Sequence, residues 1–204
     1  AFQRHLRKSS HVFYSDDHGK TWQLGGNLDG TNECELVELS DGSLYMTARN
    51  SSPAPEGPGP NPIYPGVIKR LYAVSNDFGL TWSTPTEVDE LPDPICQASI
   101  VQYATGMNGD IVPILFSNPA STNRDSLSIT VSYDDCRTWP VSQILDEGPS
   151  GYSELVVLQD KTIGCLYEWG TSVYRLEHDQ RHIEHVSFAN FNIEWVTQSR
   201  PNQK

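Results

Sequence analysis

One eight-residue phrase occurs three times in this chain of 204 residues, and it narrows the possible folds sharply. Ser15-Asp16-Asp17-His18-Gly19-Lys20-Thr21-Trp22 returns as Ser75-Asn76-Asp77-Phe78-Gly79-Leu80-Thr81-Trp82, and again as Ser132-Tyr133-Asp134-Asp135-Cys136-Arg137-Thr138-Trp139. The shared pattern is Ser-x-Asp-x-Gly-x-Thr-Trp, with Cys136 in place of the glycine in the third copy. The tryptophans stand 60 and then 57 residues apart. A near-constant period of this length marks a repeated supersecondary unit. The chemistry of the phrase is that of a turn. Aspartate can cap the amides of its own loop, glycine supplies a positive φ, and the tryptophan can anchor between neighbouring units. Such a turn needs no ligand, so the phrase is assigned to architecture.

Between the phrases lie apolar, β-branched runs broken by turn signals. Cys34–Leu39 and Leu44–Arg49 flank Ser-Asp-Gly-Ser, and Ala98–Tyr103 and Asp110–Phe116 flank Gly106-Met107-Asn108-Gly109. Glu154–Leu158 and Thr162–Glu168 flank Gln159-Asp160-Lys161. A third strand leads into each later phrase (Arg70–Val74, Ser126–Val131), and a fourth follows it. Four antiparallel strands per repeat, with almost no helical periodicity, predict an all-β fold, a β-propeller whose blades carry strands A to D from the axis outward. At about 58 residues per blade the chain supplies about three and a half blades, fewer than the roughly four needed to close a ring. His11–Ser15 already reads as a C strand and no Met opens the chain. An open arc leaves long strand edges unpaired. The expectation is therefore that residues 1–204 are the C-terminal blades of one propeller domain, pairing with N-terminal blades outside this chain.

Bulk properties exclude several functions. The net charge of −12 and a pI near 4.8 argue against a nucleic-acid partner. No apolar run reaches the ~20 residues of a membrane span. Cys34, Cys96, Cys136 and Cys165 show no CxxC pairing and no histidine at zinc-ligand spacing, and they fit free thiols or disulfides equally. Metal and nucleotide motifs are lacking, so no cofactor is expected. Asn50-Ser51-Ser52 is a glycosylation sequon, meaningful only in a secretory context.

Blade geometry places the polar residues. The D-to-A and B-to-C connections share one face of a propeller, and the repeated C-to-D turns lie on the other. Glu33 stands just before strand A of one blade, and Tyr152 holds the same place two blades later, with Cys96 and Gln97 between. Arg49 ends strand B of the first of these blades, Glu168 ends strand B of the third, and Arg124 falls in the B-to-C connection of the middle one. Singly, such groups are usually solvated or capping. Together they put a phenol and a carboxylate at equivalent axial positions beside two guanidinium groups. Arginine forks suit a carboxylate ligand, and a phenol beside a carboxylate base can become a nucleophile.

At these residues the chain resembles sialidases, particularly secreted actinobacterial ones and the animal lysosomal enzyme. The stretches that carry the likeness are Asn32-Glu33-Cys34-Glu35 through Val37-Glu38-Leu39-Ser40-Asp41-Gly42 to Ala48-Arg49-Asn50; Phe116-Ser117-Asn118-Pro119; Gly148-Pro149-Ser150-Gly151-Tyr152-Ser153; and Gly164-Cys165-Leu166-Tyr167-Glu168. The closing Phe188–Trp195 resembles the last strand of that family. The resemblance implies a six-bladed Asp-box propeller that releases terminal sialic acids from glycoproteins, glycolipids or oligosaccharides. Sialidases depart from the two-carboxylate scheme of retaining glycosidases by using a tyrosine nucleophile. It further implies Tyr152 as nucleophile, Glu33 as its base, Arg49 and Arg124 as holders of the substrate carboxylate, and Glu168 as the carboxylate orienting a third arginine. That arginine, in a Phe-Arg-Ile-Pro-like segment, and an acid/base aspartate belong to the family's N-terminal blades and have no counterpart here. The resemblance points to a secreted or lysosomal protein rather than a cytoplasmic one.

Two further readings stand beside an exo-sialidase: a non-catalytic propeller binding glycans or proteins, and an inactive fragment. The pairing of Glu33 with Tyr152 separates them, because a pure binding module needs no proton-transfer pair.

Overall fold

The computed structural model describes residues 9–50, 68–104, 111–170 and 183–198. Strands β1 (Ser9–Tyr14) and β2 (Gln23–Asp29) pair antiparallel. Strands β3 (Thr31–Glu38), β4 (Leu44–Asn50), β5 (Lys69–Ser75) and β6 (Thr86–Pro92) form a four-stranded antiparallel meander. In the next sheet β7 (Ser99–Gln102), β8 (Ile114–Pro119) and β9 (Asp125–Ser132) join the first half of β10 (Val141–Val157). The second half of β10 pairs with β11 (Ile163–Trp169), which pairs with β12 (His185–Phe191). These are the expected blades: strands C and D of a first, two complete ones, and A to C of a fourth. The architecture is that of a β-propeller.

The core lies between blades rather than within one, because each sheet buries a face against its neighbour. Val37 and Tyr45 of the second blade pack with Ile100, Ile114 and Phe116 of the third. Leu115, one residue out of phase with Ile114 and Phe116, turns to the opposite side, where it meets Leu155, Ile163 and Cys165 of the fourth blade. Period-two alternation thus assigns adjacent residues of β8 to two different cores.

The repeated phrase forms the expected turn in all three copies. Asp77 accepts the Thr81 amide at 2.8 Å and also the Thr81 and Ser75 hydroxyls, and Asp17 and Asp134 repeat the arrangement. These donors hold the carboxyls of Asp17 and Asp77 down at about 2. Gly79 sits at φ +84°, where glycine is unstrained, and Cys136 takes the same left-handed conformation at +61° without that freedom. Trp139 is 5% exposed against Phe116, and Trp82 packs beside Leu28 and Met46, both between blades as expected. Trp22 differs: it is 59% exposed and meets Phe13 edge-on.

Several boundaries depart from the sequence expectation. Strand D of the third blade and strand A of the fourth are one strand, β10, bent by register shifts around Asp146 and Pro149 instead of broken by a loop. The closing strand stops at Phe191. Asn192 then caps a one-turn helix, α1 (Ile193–Thr197), by accepting the Trp195 amide at 2.9 Å, and Val196 of α1 is buried. The turn at Gly106–Gly109 and residues Asp110, Ser51 and Ser52 lie outside the described residues; Asn50 of the sequon ends β4. All four cysteines are free thiols. Among the described residues no helix is long and apolar enough to cross a membrane.

Candidate functional site

Glu33 and Tyr152 lie inside β3 and β10 rather than ahead of them, and each sits in a bulge. From Thr31 to Cys34 strand β3 advances three residues while β4 advances two, and Ser150 to Ser153 of β10 does the same against β11. A bulge re-aims the side chain it carries and is over-represented beside active sites. Equivalent bulges two blades apart thus present a carboxylate and a phenol to the same region near the axis.

There the Tyr152 hydroxyl donates to Glu33 Oε1, while Arg49 Nη1 donates to Glu33 Oε2 at 2.9 Å. The Arg124 guanidinium lies 5.7 Å from the centroid of the Tyr152 ring, and its Nη2 donates to the Ile95 carbonyl at 2.6 Å. Glu168 Oε2 accepts the Tyr152 backbone amide at 3.0 Å. Every sequence-predicted site residue therefore falls in one cluster. The Arg49 Nε is buried without a hydrogen-bond partner.

Electrostatics sort the protons. Burial pulls the Glu33 carboxyl upward, but the Tyr152 hydroxyl and the Arg49 and Arg124 charges outweigh it and hold the group below its ordinary value. Burial, then the bond to Glu33 and its negative charge, push the Tyr152 phenol up against the opposing arginines. At rest the proton belongs to Tyr152 and the charge to Glu33. Cys96 nearby is pushed to about 12 by burial and stays a thiol.

Glycine at 151 leaves room for the Glu168 carboxylate. A Cβ there would stand 2.4 Å from Glu168 Oε2, so any side chain would displace the carboxylate that receives the Tyr152 amide. Gln97, at the intermediate blade position, forms a two-bond clamp with Ser153: its amide nitrogen donates to the Ser153 carbonyl and its oxygen accepts the Ser153 amide, each at 3.0 Å.

Sequence reasoning missed the support beneath the site. Arg70 of β5 is fully buried and donates to Thr47 Oγ1 at 3.1 Å, the Cys96 carbonyl at 2.8 Å and the Glu33 carbonyl at 3.3 Å. It also pairs with buried Asp93 at 3.5 Å. Asp93 in turn accepts the amides of Asn50 and Cys96. The available signal was an arginine leading into the apolar run Leu71–Val74, and its partners are 23 to 37 residues away.

The chain is 37% identical over 188 residues to a sialidase of Micromonospora viridifaciens, covering 90% of this chain and 25% of that protein. It is 31% identical over 166 residues to a sialidase of Bacteroides fragilis, covering 77% and 28%. The chain spans about a quarter of the length of these relatives. Among solved structures, a Hadza microbial sialidase superposes with a TM-score of 0.67 at 28% identity, over 90% of this chain and 32% of that one. The BNR repeat-like domain matches residues 2–166, a stretch that takes in all three copies of the turn phrase and both bulged strands. On that match the chain belongs to the BNR repeat-like domain family, and its relatives there are sialidases.

Proposed function

We propose that the protein is an exo-α-sialidase that removes terminal sialic acids with retention of configuration, and that residues 1–204 are C-terminal blades of its propeller. The observation that carries this reading is the hydrogen bond from the Tyr152 hydroxyl to the Glu33 carboxylate, with Arg49 and Arg124 beside it. Sialic acid bears a carboxylate on its anomeric carbon. An anionic nucleophile would be repelled at that carbon, whereas a neutral phenol would not. Arg49 and Arg124 hold the substrate carboxylate. Tyr152 Oη attacks the anomeric carbon as its proton passes to Glu33, and the bond to the aglycone oxygen breaks. The departing oxygen takes a proton from an acid on blades outside this chain, where the family resemblance puts an aspartate. Water then gives a proton to the carboxylate left by that acid and attacks the same carbon, the tyrosyl bond breaks, and Glu33 returns its proton to Tyr152. Glu168 fixes the strand at Tyr152 through its amide and can also face a third arginine. The partners are sialylated glycoconjugates, and the remaining blades cover the open edges of this arc.

The test is turnover of a fluorogenic sialoside by the full-length protein. Tyr152→Phe and Glu33→Gln are each expected to lower kcat by about 10²–10⁴. Activity unchanged in Tyr152→Phe would refute the mechanism. Binding of sialosides without turnover in the wild type would favour a non-catalytic propeller.

A further inference from the structure

The axial strands of the second, third and fourth blades are edge strands, so their inner polar groups find no ladder partner in their own sheets. Side chains of the preceding blade take that place. Glu35 Oε2 of β3 accepts the Ile100 amide of β7 at 2.7 Å, and Ser99 Oγ of β7 accepts the Leu155 amide of β10 at 3.0 Å. Gln97, two residues before Ser99, makes the fullest of these links. Its Oε1 accepts the Ser153 amide and its Nε2 donates to the Ser153 carbonyl, each at 3.0 Å. The same Nε2 donates to the Ala98 carbonyl at 3.1 Å. A side-chain amide carries a donor and an acceptor side by side, which matches the N–H and C=O that one extended residue shows on one edge. Ser153 is held from another direction as well, since its buried hydroxyl bonds that of Ser117 on β8 at 2.8 Å.

Ser153 closes the bulge that carries Tyr152, and within that bulge Gly151 and Tyr152 have no register partner on β11. A bulge interrupts its ladder locally, so its shape depends on bonds made elsewhere. Glu168 takes the Tyr152 amide, and on the axial side Gln97 takes both polar groups of Ser153. Gln97 is itself tied to the frame of Glu33. Arg70 donates to the carbonyl of Cys96, the residue before Gln97, and to the carbonyl of Glu33. We propose that Gln97 is a positioning residue that fixes the Tyr152 bulge against Glu33. The third blade supplies neither member of the proton-transfer pair, yet it sets their spacing: Glu33 is joined to Arg70, Arg70 to Cys96, and Gln97 to Ser153. Loss of the clamp leaves Arg49 and Arg124 to hold a substrate carboxylate, while the Tyr152 hydroxyl moves off its line to Glu33.

The inference rests on the sialidase reading for the roles of Glu33 and Tyr152, and two readouts on the full-length protein keep the two apart. The first is turnover of a fluorogenic sialoside. Gln97→Leu offers neither donor nor acceptor, and its kcat should fall about ten- to a hundredfold, the cost of misplacing reacting groups by about 1 Å. Its KM should stay within about twofold of wild type, because the arginines that hold the substrate carboxylate are untouched. Gln97→Glu keeps the volume and the acceptor but, once ionised, has no donor for the Ser153 carbonyl, so its kcat should fall as well. Tyr103→Phe is the control: it removes another bond between the third and fourth blades, from the Tyr103 hydroxyl to the Lys161 carbonyl at 3.0 Å, about 20 Å along the strand from Gln97, and kcat should hold. The second readout needs no substrate. Amide hydrogen exchange at Ser153 should quicken at least about tenfold in Gln97→Leu and stay unchanged in Tyr103→Phe. If Gln97→Leu does not fold, Gln97→Glu carries the kinetic readout on its own. A wild-type kcat in Gln97→Glu, a loss in Gln97→Leu carried by KM instead of kcat, an equal kcat loss in Tyr103→Phe, or unmoved Ser153 exchange in Gln97→Leu would each overturn the positioning role. Faster Ser153 exchange in Gln97→Leu without sialoside turnover by the wild type would sustain the clamp and sink the sialidase reading alone.

Discussion

Replacing Arg70 by methionine should damage this protein more than any surface change, and the structure sets the scale. Methionine fills most of the apolar volume against Phe116, whose ring centroid lies 5.9 Å from the guanidinium. It supplies none of the four polar contacts, to Thr47, Asp93, Cys96 and Glu33. Asp93, also fully enclosed, keeps the amides of Asn50 and Cys96 but loses its cation. Breaking a buried ion pair from one side costs about 3–5 kcal/mol, because it leaves an uncompensated charge. Adding Asp93→Asn removes that charge, so the double variant should recover part of the loss and retain a deficit of about 1–3 kcal/mol from the unpaired carbonyls. Urea unfolding of the full-length protein, followed by tryptophan fluorescence, measures the wild type and both variants. The Glu33 carbonyl loses its buried donor as well, so kcat should fall in parallel. A cost below about 1 kcal/mol for Arg70→Met would refute the reasoning. So would a double variant no more stable than Arg70→Met, since the penalty would then not come from the orphaned charge.

Gly151→Ala drives a Cβ into Glu168 and frees the Tyr152 amide; loss of one charge-assisted bond, about 1.5–3 kcal/mol, should lower kcat/KM at least about tenfold. Activity within twofold of wild type would show that Glu168 does not fix Tyr152. Because the Glu33 value is lowered on folding, its stabilisation is present above pH 4.5 and lost as pH falls through the lower folded value. The melting-temperature gap between wild type and Glu33→Gln should hold from neutrality to about pH 4.5 and close below it; a gap that widens on acidification would contradict the depressed carboxyl.

Much of the fold is legible locally. The turn phrase carries its own hydrogen-bond partners within four residues, and the alternation through Ile114, Leu115 and Phe116 encodes two cores in one strand. The repeat also made Glu33 and Tyr152 equivalent, which singled them out among many polar residues. Other features resisted such reading. Nothing local distinguishes the continuous β10 from two strands, since its bend is a matter of register with β9 and β11. The helical end at Ile193–Thr197 depends on burying Val196 against the third and fourth blades, a tertiary gain that overrides strand propensity.

The pairing of Glu33 with Tyr152, 119 residues apart, draws on both levels. Sequence alone determined the repeating blade, the turn chemistry and the residue types available on one face, because these depend on neighbours within a few positions. Only the tertiary structure decided which groups touch: the two bulges that aim carboxylate at phenol, and the buried Arg70–Asp93 pair beneath them. Such contacts follow from how twisted sheets stack around an axis, and their energies depend on burial, which no local pattern encodes.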